Sequence, residues 1–197
     1  MICDELKIGL LTDHVALKEI NRHVTKQRIE QKFSLINESL KKDFGIQKPK
    51  IAVLSIDPHA GDGGVIGKDD QDILKPVLLE IASKNNLVFG PFSSDSFFGS
   101  GQHKKYDAVL AIYHDQGLIP FKTLSFGSGV NYTAGLNKVR TSPDHGTGYD
   151  IAGKGLADST SFKNAIFSAI EIFKSRKLFE DLNKNPLNLS NSKTGKK

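Results

Sequence analysis

Three histidines follow apolar segments of the sequence, at places where strands of a parallel sheet would end. They are His14, His59 and His114. In open α/β sheets, ligands bind beyond the carboxyl ends of the strands, and parallel neighbours bring those ends together. Neutral imidazole is a good ligand for zinc and similar divalent ions, and three imidazoles leave coordination positions open for a substrate. The pattern therefore predicts a shared metal site; the alternative is that each histidine only packs or forms a hydrogen bond at its own strand end.

The segment Pro58–Gly67 contains four glycines within seven residues, Gly61 to Gly67. It is not a Walker loop, because no Gly-Lys-Ser/Thr follows, and its glycine spacing does not fit the dinucleotide fingerprint. Two interpretations remain open. Backbone amides left bare by glycine can wrap a phosphate or approach a cofactor closely, or the glycines serve only a loop that needs positive φ.

A second polar group comprises Lys122, Asn131 and Arg140. Two cations and an amide donor can hold the oxygens of a substrate that carries a phosphate and a carboxylate. Each of the three also suits a surface or strand-edge position. The glycine-punctuated segment Asp144–Gly155 follows them and is also typical of a turn between a strand and a helix.

The elements that would position these residues alternate between two periodicities. Short segments rich in Ile, Val and Leu predict strands at Lys7–Thr12, Lys50–Asp57, Leu87–Phe89, Ala108–His114 and Val130–Thr133. Helical spacing predicts helices at Ile29–Phe44, which Gly45 ends, at Asp69–Lys84, which Pro76 kinks or shortens, and at Phe162–Phe173. This alternation favours an α/β fold, an α/β/α layered domain with a mostly parallel sheet. Residues 181–197 are predicted to be a disordered tail.

Composition narrows the class of protein. Of 197 residues, 38% are hydrophobic and 25% charged, and no apolar run is long enough to cross a bilayer. The amino terminus lacks secretory features and Cys3 has no disulfide partner, so we expect a cytoplasmic protein without a membrane partner. The sequence pI of about 9.2 is the only support for nucleic-acid binding. Because lysines are mixed with carboxylates and no basic stripe with interleaved aromatics is present, we expect no nucleic-acid partner.

Together these residues resemble the 4-hydroxythreonine-4-phosphate dehydrogenases of pyridoxine-phosphate synthesis. The resemblance extends from about Lys7 to Phe173, in the order and at close to the spacing of the family. The matching blocks are Pro58-His59-Ala60-Gly61 with Gly63-Gly64, Asp107–Ala111 running into Tyr113–Gly117, Gly129-Val130-Asn131, Arg140-Thr141-Ser142 and Asp144-His145-Gly146-Thr147.

The resemblance implies a divalent metal (Zn, Mg or Co) bound by His14, His59 and His114. In the family the third histidine comes from the partner subunit, which implies a homodimer with a shared site. Substrate contacts are implied for Lys122, Asn131 and Arg140. Asp95 and Asp115 match acidic positions near the site, and the resemblance gives them proton transfer or orientation of a ligand as roles.

The implied fold is that of the isocitrate and isopropylmalate dehydrogenases, with two α/β/α lobes around a cleft. By analogy with those relatives, His145, Gly146 and Thr147 are expected to contact NAD or NADP. The implied reaction is metal-assisted oxidation of 4-phosphooxy-L-threonine to a β-keto acid that decarboxylates.

The chain departs from the family in length. Members are typically far longer, with the additional sequence before the point where this chain begins. We therefore expect residues 1–180 to form the second lobe plus the returning carboxy-terminal segment of the first. Most of the first lobe, including a His-Thr pair that contacts phosphate, would be absent, which would expose the apolar face of the Phe162–Phe173 helix and lower stability or solubility. An inactive metal- or nucleotide-binding remnant and a related hydroxy-acid dehydrogenase remain as alternatives.

Overall fold

The computed structural model describes residues 1–185, and its centre is a four-stranded parallel sheet. The strands stand in the order β1-β4-β2-β3, and a separate two-stranded ribbon pairs β5 with β6 antiparallel. The strands are β1 (Ile8–Leu10), β2 (Lys50–Leu54), β3 (Leu87–Phe92), β4 (Ala108–Ala111), β5 (Val130–Tyr132) and β6 (Thr141–Pro143). The helices are α1 (Ile20–His23), α2 (Lys26–Phe44), α3 (Lys75–Ser83), α4 (Ser94–Gly99), α5 (His114–Ser125) and α6 (Thr160–Asn183).

The two central strands are buried on both faces, because helices cover the sheet on each side. In β2, Ile51 and Val53 face the core beneath α1, α2 and α3, whereas Ala52 and Leu54 face the core beneath α4 and α5. Their near-continuous apolar sequence is typical of parallel strands with both faces covered. The predicted α/β/α layering is thus confirmed.

Local sequence signals set the boundaries of two helices, and the end of α2 at Gly45 and the late start of α3 near Pro76 agree with the prediction. The helix α2 begins after Thr25, whose side chain accepts a hydrogen bond from the amide of Arg28, and ends at Gly45 with φ of 69°. Pro76 lies in the first turn of α3, where its missing N–H is tolerated. A π-helical turn, Asp70–Leu74, leads into that helix.

Close packing of α5 on the sheet fixes its position. A Cβ added at Gly117 would lie 2.9 Å from side-chain atoms of Ile8, Leu10 and Ala111. The helix backbone therefore rests directly on β1 and β4, and its first residue, His114, stands at the end of β4 beside the loop that follows β1.

The segment Val130–Thr133 was predicted to be a strand, and residues Val130–Tyr132 do form one, although it lies outside the parallel sheet. It forms β5, which pairs with β6 in the ribbon and has no partner in the parallel sheet. Its partner β6 is the segment that returns antiparallel after the connecting loop. Which partner so short a strand takes is decided by contacts outside the strand itself.

The helix α6 extends beyond the predicted bounds. It continues through 181–183, so the first residues of the predicted tail are helical, while 186–197 lie outside the described residues. Its apolar stripe is exposed as expected, with Phe162 58% and Phe173 63% accessible. Between residues 1 and 185, no helix has the length and apolarity that crossing a membrane requires.

Candidate active-site cleft

A cavity of about 540 Å³ runs along β1 from Lys7 to His14 and reaches His114 after the carboxyl end of β4. Its lining brings together residues from four parts of the sequence. They are His14, His114, Asn131, Arg140, Asp144 and His145, over an apolar base that α2 supplies. Five of these six residues were predicted from the sequence as site residues. This cavity, called the cleft below, is the candidate active site.

Two of the three predicted metal ligands lie together in the cleft. The ring centroids of His14 and His114 are 5.7 Å apart, with an interplanar angle of 42°. Their proximity follows from sheet order, because β1 pairs directly with β4 and each histidine follows one of those strands. Two imidazoles on the same edge of the sheet form an incomplete set of ligands for a divalent ion.

A carboxylate orients one of these imidazoles. Nδ1 of His114 lies 2.7 Å from Oδ1 of Asp115. An ionised carboxylate only accepts hydrogen bonds, so Nδ1 donates, and in the neutral imidazole Nε2 then keeps its lone pair. Metal-bound histidines are commonly held in this way by an acceptor on the second nitrogen.

His59 begins a left-handed turn after β2. It has φ of 53°, and the positive φ continues through Ala60, Gly61, Asp62 and Gly63. Non-glycine residues adopt this conformation at a cost of roughly 1–2 kcal/mol each. The glycine-rich segment therefore contains residues that need positive φ, as one of the two sequence interpretations expected. Within 1–185, His, Cys, Asp and Glu side chains nowhere form a group of three able to bind a metal ion, so His59 does not complete the pair inside one chain.

Replacing Ala60 by glycine is expected to raise the free energy of unfolding by up to about 1 kcal/mol, because glycine adopts positive φ without strain. Urea denaturation would measure the change. The matched control is Ala82→Gly in α3, where glycine inside a helix is expected to lower stability by roughly 1 kcal/mol. A loss of stability in both variants would contradict the left-handed turn.

The ribbon presents the anion-binding candidates to the cleft. Asn131 lies on β5 and Arg140 directly precedes β6; both are exposed and line the cavity. Nη1 of Arg140 donates to Oγ1 of Thr133 at 2.9 Å, which leaves the other guanidinium donors for a ligand.

Lys122 lies beside the cleft and does not line it. Its Nζ is 3.5 Å from Oδ1 of Asp144 and 3.4 Å from the carbonyl oxygen of that residue. The Asp144 side chain is only 10% exposed and is bordered by Gly129, where a Cβ would lie 2.5 Å from Oδ2. Asp144 therefore separates the lysine from the cavity.

The two predicted acidic residues lie in a different groove, of about 480 Å³, between α4 and α5. Hydrogen bonds from the Ser93 hydroxyl and the Ser96 amide, with a smaller contribution from the charge of His59, hold the pKa of Asp95 below its ordinary value. A carboxylate with a lowered pKa is a weaker proton acceptor. The roles predicted for Asp95 and Asp115 remain predictions.

Of the predicted cofactor residues, His145 lines the cleft, with Nδ1 2.8 Å from the Gly146 carbonyl oxygen. Gly146 and Thr147 are exposed, and neither is part of the cavity lining. Of the three predicted cofactor residues, His145 alone lines the cleft.

Sequence reasoning missed four charged residues of the cleft: Lys7, Asp13, Lys32 and Asp144. Nζ of Lys32, on α2, lies 3.8 Å from Oδ2 of Asp13. Asp13 and Asp144 directly precede the predicted site residues His14 and His145, so their position in the sequence could have indicated them. No sequence signal pointed to Lys32, which lies within the helical pattern of α2.

Comparisons with known proteins bear on this arrangement. Residues 1–169 match the family model described as pyridoxal phosphate biosynthetic protein PdxA. The chain is 49% identical over 184 residues to the 4-hydroxythreonine-4-phosphate dehydrogenase of Bacteroides thetaiotaomicron, covering 93% of this chain and 50% of that protein. It thus spans about half the length of the curated relatives it matches.

Solved structures give the same result at the level of the fold. The crystal structure of 4-hydroxythreonine-4-phosphate dehydrogenase from Klebsiella pneumoniae superposes with a TM-score of 0.76 at 37% identity, over 87% of this chain and 52% of that one. The terephthalate 1,2-cis-dihydrodiol dehydrogenase from Burkholderia xenovorans LB400 is more distant, with a TM-score of 0.66 and 31% identity over 82% of this chain and 51% of that one.

Proposed function

The chain belongs to the family of the pyridoxal phosphate biosynthetic protein PdxA, and on that premise we propose that it takes part in oxidising 4-phosphooxy-L-threonine to a β-keto acid that decarboxylates. The proposed cofactors are NAD or NADP and a divalent metal ion. One observation carries the proposal. The cleft brings a pair of imidazoles together with Asn131 and Arg140, which suit an anionic substrate.

A divalent ion fits the donor chemistry of the cleft as a shared site. His14 and His114 supply two nitrogen ligands, and the bond from His114 to Asp115 leaves Nε2 available. His59 is the remaining candidate. Because His14 and His114 lie together in one chain and His59 completes no group there, we propose that His59, and not the third histidine, His114, is the ligand that a second copy supplies. Such an ion, when bound, would polarise the substrate hydroxyl and lower its pKa.

The residues of this chain would bind and orient the substrate. Arg140 and Asn131 would hold carboxylate or phosphate oxygens from the ribbon. Lys122, the third predicted contact, would reach the substrate only if the Asp144 side chain moved from between them. Positioning is a large part of such catalysis, because it converts a bimolecular encounter into a reaction within one complex. A nicotinamide cofactor, when bound, would supply the hydride acceptor, and His145 is the predicted cofactor residue that lines the cleft. Asp95 and Asp115 are the predicted candidates to accept the hydroxyl proton. The contact with His114 favours an orienting role for Asp115.

The experiment that tests the proposal measures metal content and molar mass in solution for the chain and for His14→Ala, His59→Ala and His114→Ala. We expect a dimer with about one zinc ion per chain, lost in each variant. His23→Ala, which changes a histidine of α1, should leave metal and mass unchanged. A metal-free monomer would contradict the proposal and would favour the inactive remnant.

Mixing His59→Ala with His14→Ala then tests sharing between subunits. If one chain supplies His14 and His114 and the other His59, each mixed dimer contains one intact set. Random re-pairing of equal amounts makes half of the dimers mixed, so metal returns to about one ion per four chains. If one chain supplies all three ligands, mixing restores no metal.

A second candidate is oxidation of a related hydroxy compound without a phosphate. It is favoured by the similarity to a protein described as a dihydrodiol dehydrogenase. Calorimetric titration with 4-phosphooxy-L-threonine and with the unphosphorylated amino acid separates the two. Strong preference for the phosphorylated ligand supports the first, since charge-assisted bonds to Arg140 or Lys122 would be lost without phosphate.

A further inference from the structure

The ribbon that carries Asn131 and Arg140 is too small to be stable alone. It consists of two three-residue strands outside the parallel sheet. An isolated two-stranded hairpin is marginally stable at best in water. Something else in the chain must therefore hold these two side chains at the cleft.

A buried ion pair meets the ribbon at Tyr132. Nε of Arg176, on α6, lies 2.5 Å from Oδ1 of Asp43, at the end of α2, and their side chains are 9% and 3% exposed. The Tyr132 hydroxyl donates to Oδ2 of Asp43 and accepts from Nη2 of Arg176 at 3.0 Å. Ser39 donates to Oδ2 of Asp43 at 2.6 Å. A single tyrosine thus joins β5 to two helices.

The same arginine holds the loop between the two strands. Its Nη1 donates to the carbonyl oxygen of Leu136 at 2.9 Å. The neighbouring Gly135 packs so closely on α2 that a Cβ there would lie 2.6 Å from the Leu35 side chain. Arg176 therefore anchors the ribbon at a strand and at its connecting loop, and its planar guanidinium is suited to hold several acceptors in fixed directions.

The anchor adjoins the candidate substrate contacts. Tyr132 follows Asn131 directly and itself lines the cleft, as does Ser39. A rotation of the ribbon about its anchor would move the amide of Asn131 and the guanidinium of Arg140 together. Displacements of about 1 Å in such groups are enough to weaken a reaction about 100-fold.

We infer that Asp43, Tyr132 and Arg176 are positioning residues for the substrate-binding ribbon. The identity of the ligand that the ribbon binds rests on the proposed function. The way in which the ribbon is held rests on the structure alone. The three residues act through Asn131 and Arg140, which are the predicted substrate contacts of the ribbon. Arg176 lies beyond the residues 1–169 that match the family model.

The test compares Tyr132→Phe with Tyr106→Phe in the full chain. The first removes the hydroxyl that joins the ribbon to the ion pair and keeps the ring. The control removes a hydroxyl from a tyrosine that packs on Phe92 and Phe97 in the other core. Hydrogen exchange of residues 129–143 and affinity for 4-phosphooxy-L-threonine with zinc are measured for both.

In Tyr132→Phe we expect ribbon amides to exchange about ten times faster and affinity to fall about ten-fold, as loss of hydrogen bonds to charged groups implies. Amides of β2 and β4 should not change. Arg176→Lys, which keeps the charge without the planar fork, should retain more affinity than Arg176→Met.

Two results would overturn the inference. One is ribbon exchange in Tyr132→Phe equal to that in Tyr106→Phe; the other is acceleration that spreads equally to the parallel sheet, which would show a general loss of stability. If the unsubstituted chain does not bind 4-phosphooxy-L-threonine, the proposed function fails, and ribbon exchange still decides whether the anchor holds the ribbon.

Discussion

Replacing Asp43 by alanine is expected to lower the free energy of unfolding by about 3–5 kcal/mol, because Arg176 would remain buried without its carboxylate. Urea denaturation with a fitted slope measures the loss. Removing both charges is less harmful than removing one, so Asp43→Leu with Arg176→Met should recover much of it. If Asp43→Ala were as stable as the unchanged chain, the Asp43–Arg176 pair would have to be solvated.

Asp43 also makes the free energy of unfolding depend on pH in the acidic range. Burial alone would raise the pKa of Asp43, but hydrogen bonds from Arg176, Ser39 and Tyr132 outweigh it and hold the pKa below its ordinary value of 3.8. A carboxyl group with a depressed folded pKa stabilises the fold fully above its unfolded pKa, and the contribution is lost as pH falls through the folded pKa. The stability difference between the unchanged chain and Asp43→Leu/Arg176→Met should therefore shrink only below about pH 4.

Removing a predicted metal ligand is expected to have the largest effect on binding. His114→Ala should raise the dissociation constant for zinc by more than about 100-fold. Removing a metal ligand lowers affinity more than removing the hydrogen-bond acceptor that orients it, which typically costs about 10–100-fold. Asp115→Asn keeps the imidazole and removes the carboxylate that fixes its tautomer, so a smaller increase of about 10–100-fold is expected. Competition with a chromophoric chelator measures both constants.

The control for the second substitution is Asp181→Asn, which changes an exposed carboxylate of α6 that contacts Lys184. It should leave zinc affinity unchanged. Equal affinities for Asp115→Asn and Asp181→Asn would show that Asp115 does not orient His114. An unchanged affinity in His114→Ala would remove the imidazole pair from the site.

The layered fold was predictable because its signals are local. Apolar runs indicated β2 and β4, and Gly45 marked the end of α2 through the positive φ that glycine tolerates. The ribbon was not predictable from Val130–Thr133, since a three-residue strand carries no information about which strand it pairs with. The length of α6 was underestimated because its later turns are stabilised by contacts such as Arg176 with Asp43.

The candidate site was predictable to the extent that its residues follow strands. The order of strands explains why His14 meets His114, since β1 and β4 are neighbours. Strand β2 is also a neighbour of β4, yet His59 does not join them, because it begins a left-handed turn whose course depends on the backbone of each residue. Lys32 could not be predicted, because which face of α2 meets the cleft is decided by packing.

The helix α6 carries two features on different sides. Its outer side carries the exposed stripe Phe162, Ile166, Ile170 and Phe173, while its inner side carries Arg176, which anchors the ribbon. A molecule that covered the stripe and restricted the motion of α6 would also restrict the ribbon. Binding equilibria are reciprocal, so if such a cover tightened ligand binding by some factor, the ligand would tighten binding of the cover by the same factor. With such a cover bound, the outer surface of α6 would act as an effector site for the cleft.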